Sequence, residues 1–135
     1  MHIETDQQTI ETSAQTTFDF LSDFNNFESL FPSDKIKNWT ATQDSCSFMI
    51  KGMSNIEMQK KSEVSPQTIH IVSGSKSPIK FKIQINIEAI DDNNCKSQLV
   101  LDADVNSFIK MMAERPLTGF FSTMMENTKN HLKGK

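Results

Sequence analysis

Residues 79–88 read Ile79-Lys80-Phe81-Lys82-Ile83-Gln84-Ile85-Asn86-Ile87-Glu88, apolar and polar side chains in strict alternation. A period of two sends one set to each side of a pleated backbone, so this run is a strand with one dry and one wet face. A helix, at 3.6 residues per turn, would scatter the same residues around its whole circumference. The sheet that owns this strand therefore has one apolar face that another layer must cover.

The same period recurs from Lys35 to Val105. Turn signals break it at Gln43-Asp44, Gly52, Ser65-Pro66, Gly74 to Pro78 and Asp91 to Asn94. Cys46, Phe48 and Ile50 alternate with polar neighbours, as do Leu99, Leu101, Ala103 and Val105; Ile56 with Met58, and Ile69 with Ile71, supply the strands between. This is an antiparallel meander. Upstream, Ile3 through Thr12 is polar and threonine-rich and reads as a weak edge strand. Ser13 then caps a helix with Ala14, Phe18 and Leu21 at helical spacing, and a second short helix runs from Phe24 to Phe31, where Pro32 closes it. Downstream, Asn106 caps a long helix carrying Phe108, Ile109, Met112, Leu117, Phe120, Phe121, Met124, Met125 and Leu132. Pro116 removes a backbone donor, which predicts a kink or short break between Ala113 and Thr118. The long helix is the layer that covers the dry face. The expected class is α+β: a curved antiparallel sheet wrapped around a long C-terminal helix, with two short helices after the first strand, in a single domain over residues 1–135.

Composition agrees with such a domain. The 135 residues carry ten Phe and eight Met, enough large apolar mass for a core without staples. Disorder and a membrane-inserted helix are excluded, the first by that apolar mass and the second by the lack of a long uncharged run. Fourteen basic against 17 acidic residues leave a net charge of −3, which argues against nucleic acid as a partner. Met1 to Asp6 has neither a cationic flank nor an apolar run, so a cytoplasmic location is expected. Cys46 and Cys95 stand far apart without a CxxC pattern or a nearby histidine, and are expected as reduced thiols rather than metal ligands.

Local wording adds a resemblance. Phe18-Asp19-Phe20-Leu21-Ser22-Asp23-Phe24-Asn25-Asn26-Phe27 resembles the opening of small bacterial SRPBCC proteins, also labelled polyketide cyclase/dehydrase and lipid transport proteins. Asp44 to Phe48, Ile50 to Met53 and Pro116 to Phe121 are similar to later segments of that group. The order of elements is that of the helix-grip fold of the START and birch-pollen-allergen superfamily. The resemblance implies a seven-stranded sheet gripping the last helix around a cavity for an apolar small molecule such as a lipid, sterol or polyketide. Placed on that fold, the cavity walls would be the inward strand positions Phe48, Ile50, Met58, Ile71, Phe81, Ile83 and Leu101 and the helix positions Ile109, Met112, Phe120 and Met124. Plain core packing is the competing reading of every one of them.

Catalytic chemistry is sparse by comparison. The chain has no HExxH, GxSxG or glycine-rich phosphate loop, so no catalytic residue, metal or cofactor is assigned. His70 alternates with Ile69 and Ile71 and points away from them; His2 and His131 lie near the termini. Lys60 shares parity with Ile56 and Met58, and reads either as an inward grip on a ligand carboxylate or as a rim lysine reaching water. Asn38 and Thr40 share parity with Ile36 as polar handles, unless the phase slips and Trp39 is the inward side chain. Asp102 and Asp104 fall on the wet side, where pairing with a lysine is expected. The loop Gly74 to Pro78 and the segment around Pro116 are candidate gates. The reading is a binding or carrier module for a small hydrophobic or amphipathic molecule. Two alternatives remain: a cyclase or dehydratase using the same cavity, or a protein-interaction module presenting the last helix. An exposed Met124-Met125 patch or a homodimer would mark the latter.

Overall fold

The computed structural model describes all 135 residues, Met1–Lys135. Eight strands form one antiparallel sheet: β1 (His2–Glu4), β2 (Gln8–Ile10), β3 (Ile36–Ala41), β4 (Ser45–Ile50), β5 (Asn55–Val64), β6 (Thr68–Ser73), β7 (Phe81–Asp91) and β8 (Asn94–Ala103). Their order across the sheet is β1-β8-β7-β6-β5-β4-β3, with β2 also on β8. Helix α1 (Ala14–Ser22) and a single 3-10 turn (Phe24–Asn26) connect β2 to β3, and helix α2 (Ser107–Leu132) ends the chain.

The strand count of eight, where seven were expected, comes from one bulge. His2↔Asp102 through Glu4↔Val100 hold one register, and Gln8↔Ser97 through Ile10↔Cys95 hold the next, so the first strand carries one extra residue. Buried Thr5 fills the gap: its hydroxyl accepts from Leu99 N at 3.0 Å while its own N–H donates to Leu99 O at 3.0 Å. In β7 the alternation is realised as read, with Phe81, Ile83, Ile85 and Ile87 buried. Thirty-one buried apolar residues make one core between the sheet's concave face, α1 and α2.

The second short helix is not formed. After the 3-10 turn, Leu30 N–H donates to Phe27 O, and Phe31 N–H to the same carbonyl, so residues 27–31 are a chain of turns. Those turns still bury Phe24, Phe27 and Phe31 on one side, which produces the helical spacing seen in the sequence. Pro116 does not interrupt α2, which continues as one element from Ser107 to Leu132. The Met112 carbonyl loses its i+4 donor there, and two residues further on the Thr118 hydroxyl donates to Glu114 O at 2.6 Å.

Candidate functional site

Strand β3 decides one wall of the cup. Ile36↔Ile50 and Lys37↔Met49 pair in one register and Thr40↔Ser47 in the next, so Asn38 and Trp39 together oppose a single residue. Asn38 takes φ 59, a conformation asparagine tolerates better than most side chains. The slip leaves Asn38 and Thr40 exposed and turns Trp39 inward, its ring 5.5 Å from Phe48 and 6.0 Å from Phe31. Phe31 stacks in turn on Phe120 at 4.7 Å, so an aromatic stack fills this end of the cup.

Lys60 is neither a free cavity cation nor a rim side chain. Its ammonium lies 3.0 Å from Asp44, 3.3 Å from Glu63 and 2.9 Å from Ser22 Oγ, and 5.7 Å from the centroid of Phe24, with the side chain 10% exposed. Nothing is left for it to offer a ligand. The Gly74 to Pro78 loop is also tied down. Glu57 O accepts from Gly74 N and from the Ser77 hydroxyl, Ser77 Oγ accepts from Glu57 N, and Glu57 Oε1 accepts from Lys76 N. A side chain at position 74 would push the Glu57 side chain aside, and these bonds argue against a gate there.

The remaining chemical groups are structural. Burial pushes the Cys46 thiol up to about 12, with the Glu57 charge adding to it, and burial also raises Cys95, which contacts Thr17 Oγ1 at 3.2 Å. Such thiols are poor nucleophiles. Asp102 pairs with His2 rather than with a lysine; by accepting hydrogen bonds from the ring, Asp102 first and Glu4 second raise the exposed imidazole above its usual range. His131 stacks on Phe20 at 4.7 Å, and His70 lies half-buried on the outer face of the sheet. No group of three or more His, Cys, Asp or Glu side chains is arranged to hold a metal ion.

What does open to solvent is a groove of about 730 Å³ between α2 and the β4–β5 turn. Ile109, Ala113, Phe120 and Gly119 line it from the helix, and Ile50, Met53 and Ile79 from the sheet side. The turn passes through Gly52 at φ 81, which lets the chain reverse beneath the helix. Gly119 sits mid-helix with ordinary backbone, and a Cβ built on it would touch nothing within 4 Å. Below the groove, Met53, Ser54 and Ile79 also border a small, partly open void of about 30 Å³ lined by Ile56, Phe81, Leu101, Leu117 and Phe121.

The residues read from the sequence as cavity walls are thus divided. Ile50, Ile109, Met112 and Phe120 line the groove; Phe81 and Leu101 line the small void. Phe48, Met58, Ile71, Ile83 and Met124 are buried in the packed core and reach neither space. Met112 is 62% exposed at the groove's lip, so it is not an inward position. Lys35, Lys51, Arg115, Met53 and Gly119 were not singled out from the sequence, and only the cross-strand register and the helix phase bring them together. Met124 and Met125 are buried, which removes the exposed patch that would have marked an interaction helix.

No protein-family model matches the sequence, and no curated protein matches it either. Solved structures do. A START superfamily protein from Mycobacterium smegmatis superposes with a TM-score of 0.72 at 13% identity, over 98% of this chain and 99% of that one. The chain has the START-like helix-grip fold. The same fold is shared with norcoclaurine synthase from Thalictrum flavum, solved as a point mutant with a transition-state analogue (TM-score 0.76, 10% identity, 98% and 93% coverage). The di-domain ARO/CYC protein BexL matches at TM-score 0.71 and 10% identity over 96% of this chain, which spans 45% of BexL's length. The likeness in fold covers nearly the whole chain.

Proposed function

We propose that this protein binds and carries a small hydrophobic or amphipathic molecule, seated in the groove beneath the first half of α2. The observation that carries the reading is the groove itself: about 730 Å³, within the usual range for small-molecule sites, with an apolar floor and a glycine where any side chain would narrow it. Desolvation supplies the affinity. Burying roughly 300 Å² of apolar ligand surface at about 25 cal/mol per Å² contributes several kcal/mol before ordering costs, which corresponds to micromolar binding.

The cyclase or dehydratase reading, which the norcoclaurine synthase and ARO/CYC neighbours bring to mind, finds less support. No His, Cys, Asp or Glu lines the groove, and its two lysines, Lys35 and Lys51, are exposed and have no ion-pair partner. Native mass spectrometry of freshly purified protein tests the carrier reading. A discrete adduct above the 15.3 kDa chain, lost on denaturation, is the expected result. A bare chain, together with no change in Trp39 emission or melting temperature on adding apolar probes, would sink it. Trp39 suits that readout because Phe31 connects it to Phe120 on the groove wall.

A further inference from the structure

Resting on the groove as the ligand site, we infer that it selects single-chain amphiphiles with an anionic head group, held by Arg115, Lys35 and Lys51. All three residues line the groove, and no Asp or Glu does. The chain as a whole is acidic at −3, so this concentration of positive charge runs against its average. Depressions on the outer face of the sheet mix the signs. Lys61 and Lys82 share one with Asp102, and Lys80 and Lys82 share another with Asp102 and Asp104.

The arrangement also breaks a local rule. Lys51 N–H donates to Lys35 O at 2.8 Å just beyond the paired ends of β3 and β4, so the two lysines are backbone neighbours in the adjoining turns. Like charges on neighbouring residues repel, and neither lysine has an ion-pair partner. Arg115, the chain's one arginine, faces them unpaired from α2, while its neighbour Glu114 lies 3.9 Å from Lys110 instead. A conflict that packing does not require marks a functional position. Arginine's planar fork accepts a carboxylate or phosphate in two parallel hydrogen bonds, and the lysines add point charge. With the head at that rim, an alkyl tail lies along Ile109, Ala113 and Phe120 and points toward Met53 and Ile79, the wall shared with the small void.

The experiment compares decanoate, decanol and decyltrimethylammonium by titration calorimetry, at low and high salt, on the wild-type chain, Arg115→Gln and Lys51→Gln. Decanoate is expected to bind about tenfold tighter than decanol, with the advantage shrinking at high salt and in either variant, and the cation weakest. Both side chains are exposed and unbonded, so the variants should melt with the wild type, which a thermal scan checks. Equal affinity for decanoate and decanol would overturn the charge selection while leaving the groove reading intact. No binding of any of the three would overturn both. Co-sedimentation with phosphatidylserine vesicles without decanoate binding would also overturn it, assigning the cations to a membrane surface instead.

Discussion

The segments of α2 on either side of Pro116 both carry large apolar side chains and meet opposite fates. From Leu117 to Leu132 the helix buries Leu117, Phe120, Phe121, Met124, Met125 and Leu132, none more than 6% exposed. From Ser107 to Pro116 it leaves Phe108 65%, Met111 75% and Met112 62% exposed, and only Ala113 is fully covered. The second half is also stapled by polar contacts. Asn127 Nδ2 donates to Leu30 O at 2.8 Å, and beyond the helix Gly134 N–H donates to Glu11 O at 3.0 Å. One half of the helix therefore holds the fold together, and the other is held over an open groove. The same side-chain chemistry serves stability in one place and remains available for binding in the other.

The largest expected effect sharpens that division through stability. Phe121→Ala removes a ring packed against Phe31 and Phe120, at 6.4 and 5.3 Å, and should cost about 3–5 kcal/mol in a denaturant titration. Met111→Ala, in the overhang, should stay within about 0.5 kcal/mol. A cost near 2 kcal/mol or more for Met111→Ala would break the comparison, because it would mean the overhang is buried against a second copy in solution.

How far this was legible in the sequence follows from what periodicity encodes. Ile83, Ile85 and Ile87 announce a half-buried strand because each obeys its own strand's pleat, and no partner is needed to read them. Trp39 could not be placed that way: a bulge at Asn38 shifts its parity, and a single left-handed residue leaves no mark on the hydrophobic pattern. Met112 fails for a different reason. Helical spacing defines a stripe on α2, but not how far along that stripe the sheet extends, so exposed and buried members look alike. Lys60 takes its partners from β5, from the β3–β4 turn and from α1, and Lys35 and Lys51 become backbone neighbours only once β3 and β4 are in register. The architecture was readable from local signals, whereas the groove is made of relations between distant segments.

A smaller but more direct contrast lies in backbone opening. The overhanging half has few covered apolar contacts and a missing hydrogen bond at Pro116, both features of segments that open locally. In native-state hydrogen exchange, the amides of Met111 to Glu114 should exchange on the order of 100-fold faster than those of Phe121 to Thr128. Decanoate should slow exchange in the first group and leave the second unchanged. Uniform protection along α2 would mean that the helix behaves as one rigid unit and that the groove has a fixed roof.

The smallest effect separates stability from binding at a single atom. Gly119 belongs to the buried half of α2 by sequence, yet its own position opens into the groove, and nothing lies within 4 Å of a Cβ placed there. A glycine in a helix interior costs roughly 0.5–1 kcal/mol relative to alanine through backbone freedom in the unfolded chain. With ordinary backbone and no close neighbour to forbid a methyl group, Gly119→Ala should therefore stabilise the protein by about that amount. The same methyl projects into the space where the ligand lies, so affinity for the decyl probes should fall while the melting temperature rises. Gly119→Phe should abolish binding with the fold intact, because the ring has the groove to occupy. If Gly119→Ala stabilises the chain and binding is unchanged, the ligand sits elsewhere on the overhang and the glycine has no functional cause. If it destabilises the chain, the helix needs the glycine for packing, and the groove loses its clearest sign of having been left open for a ligand.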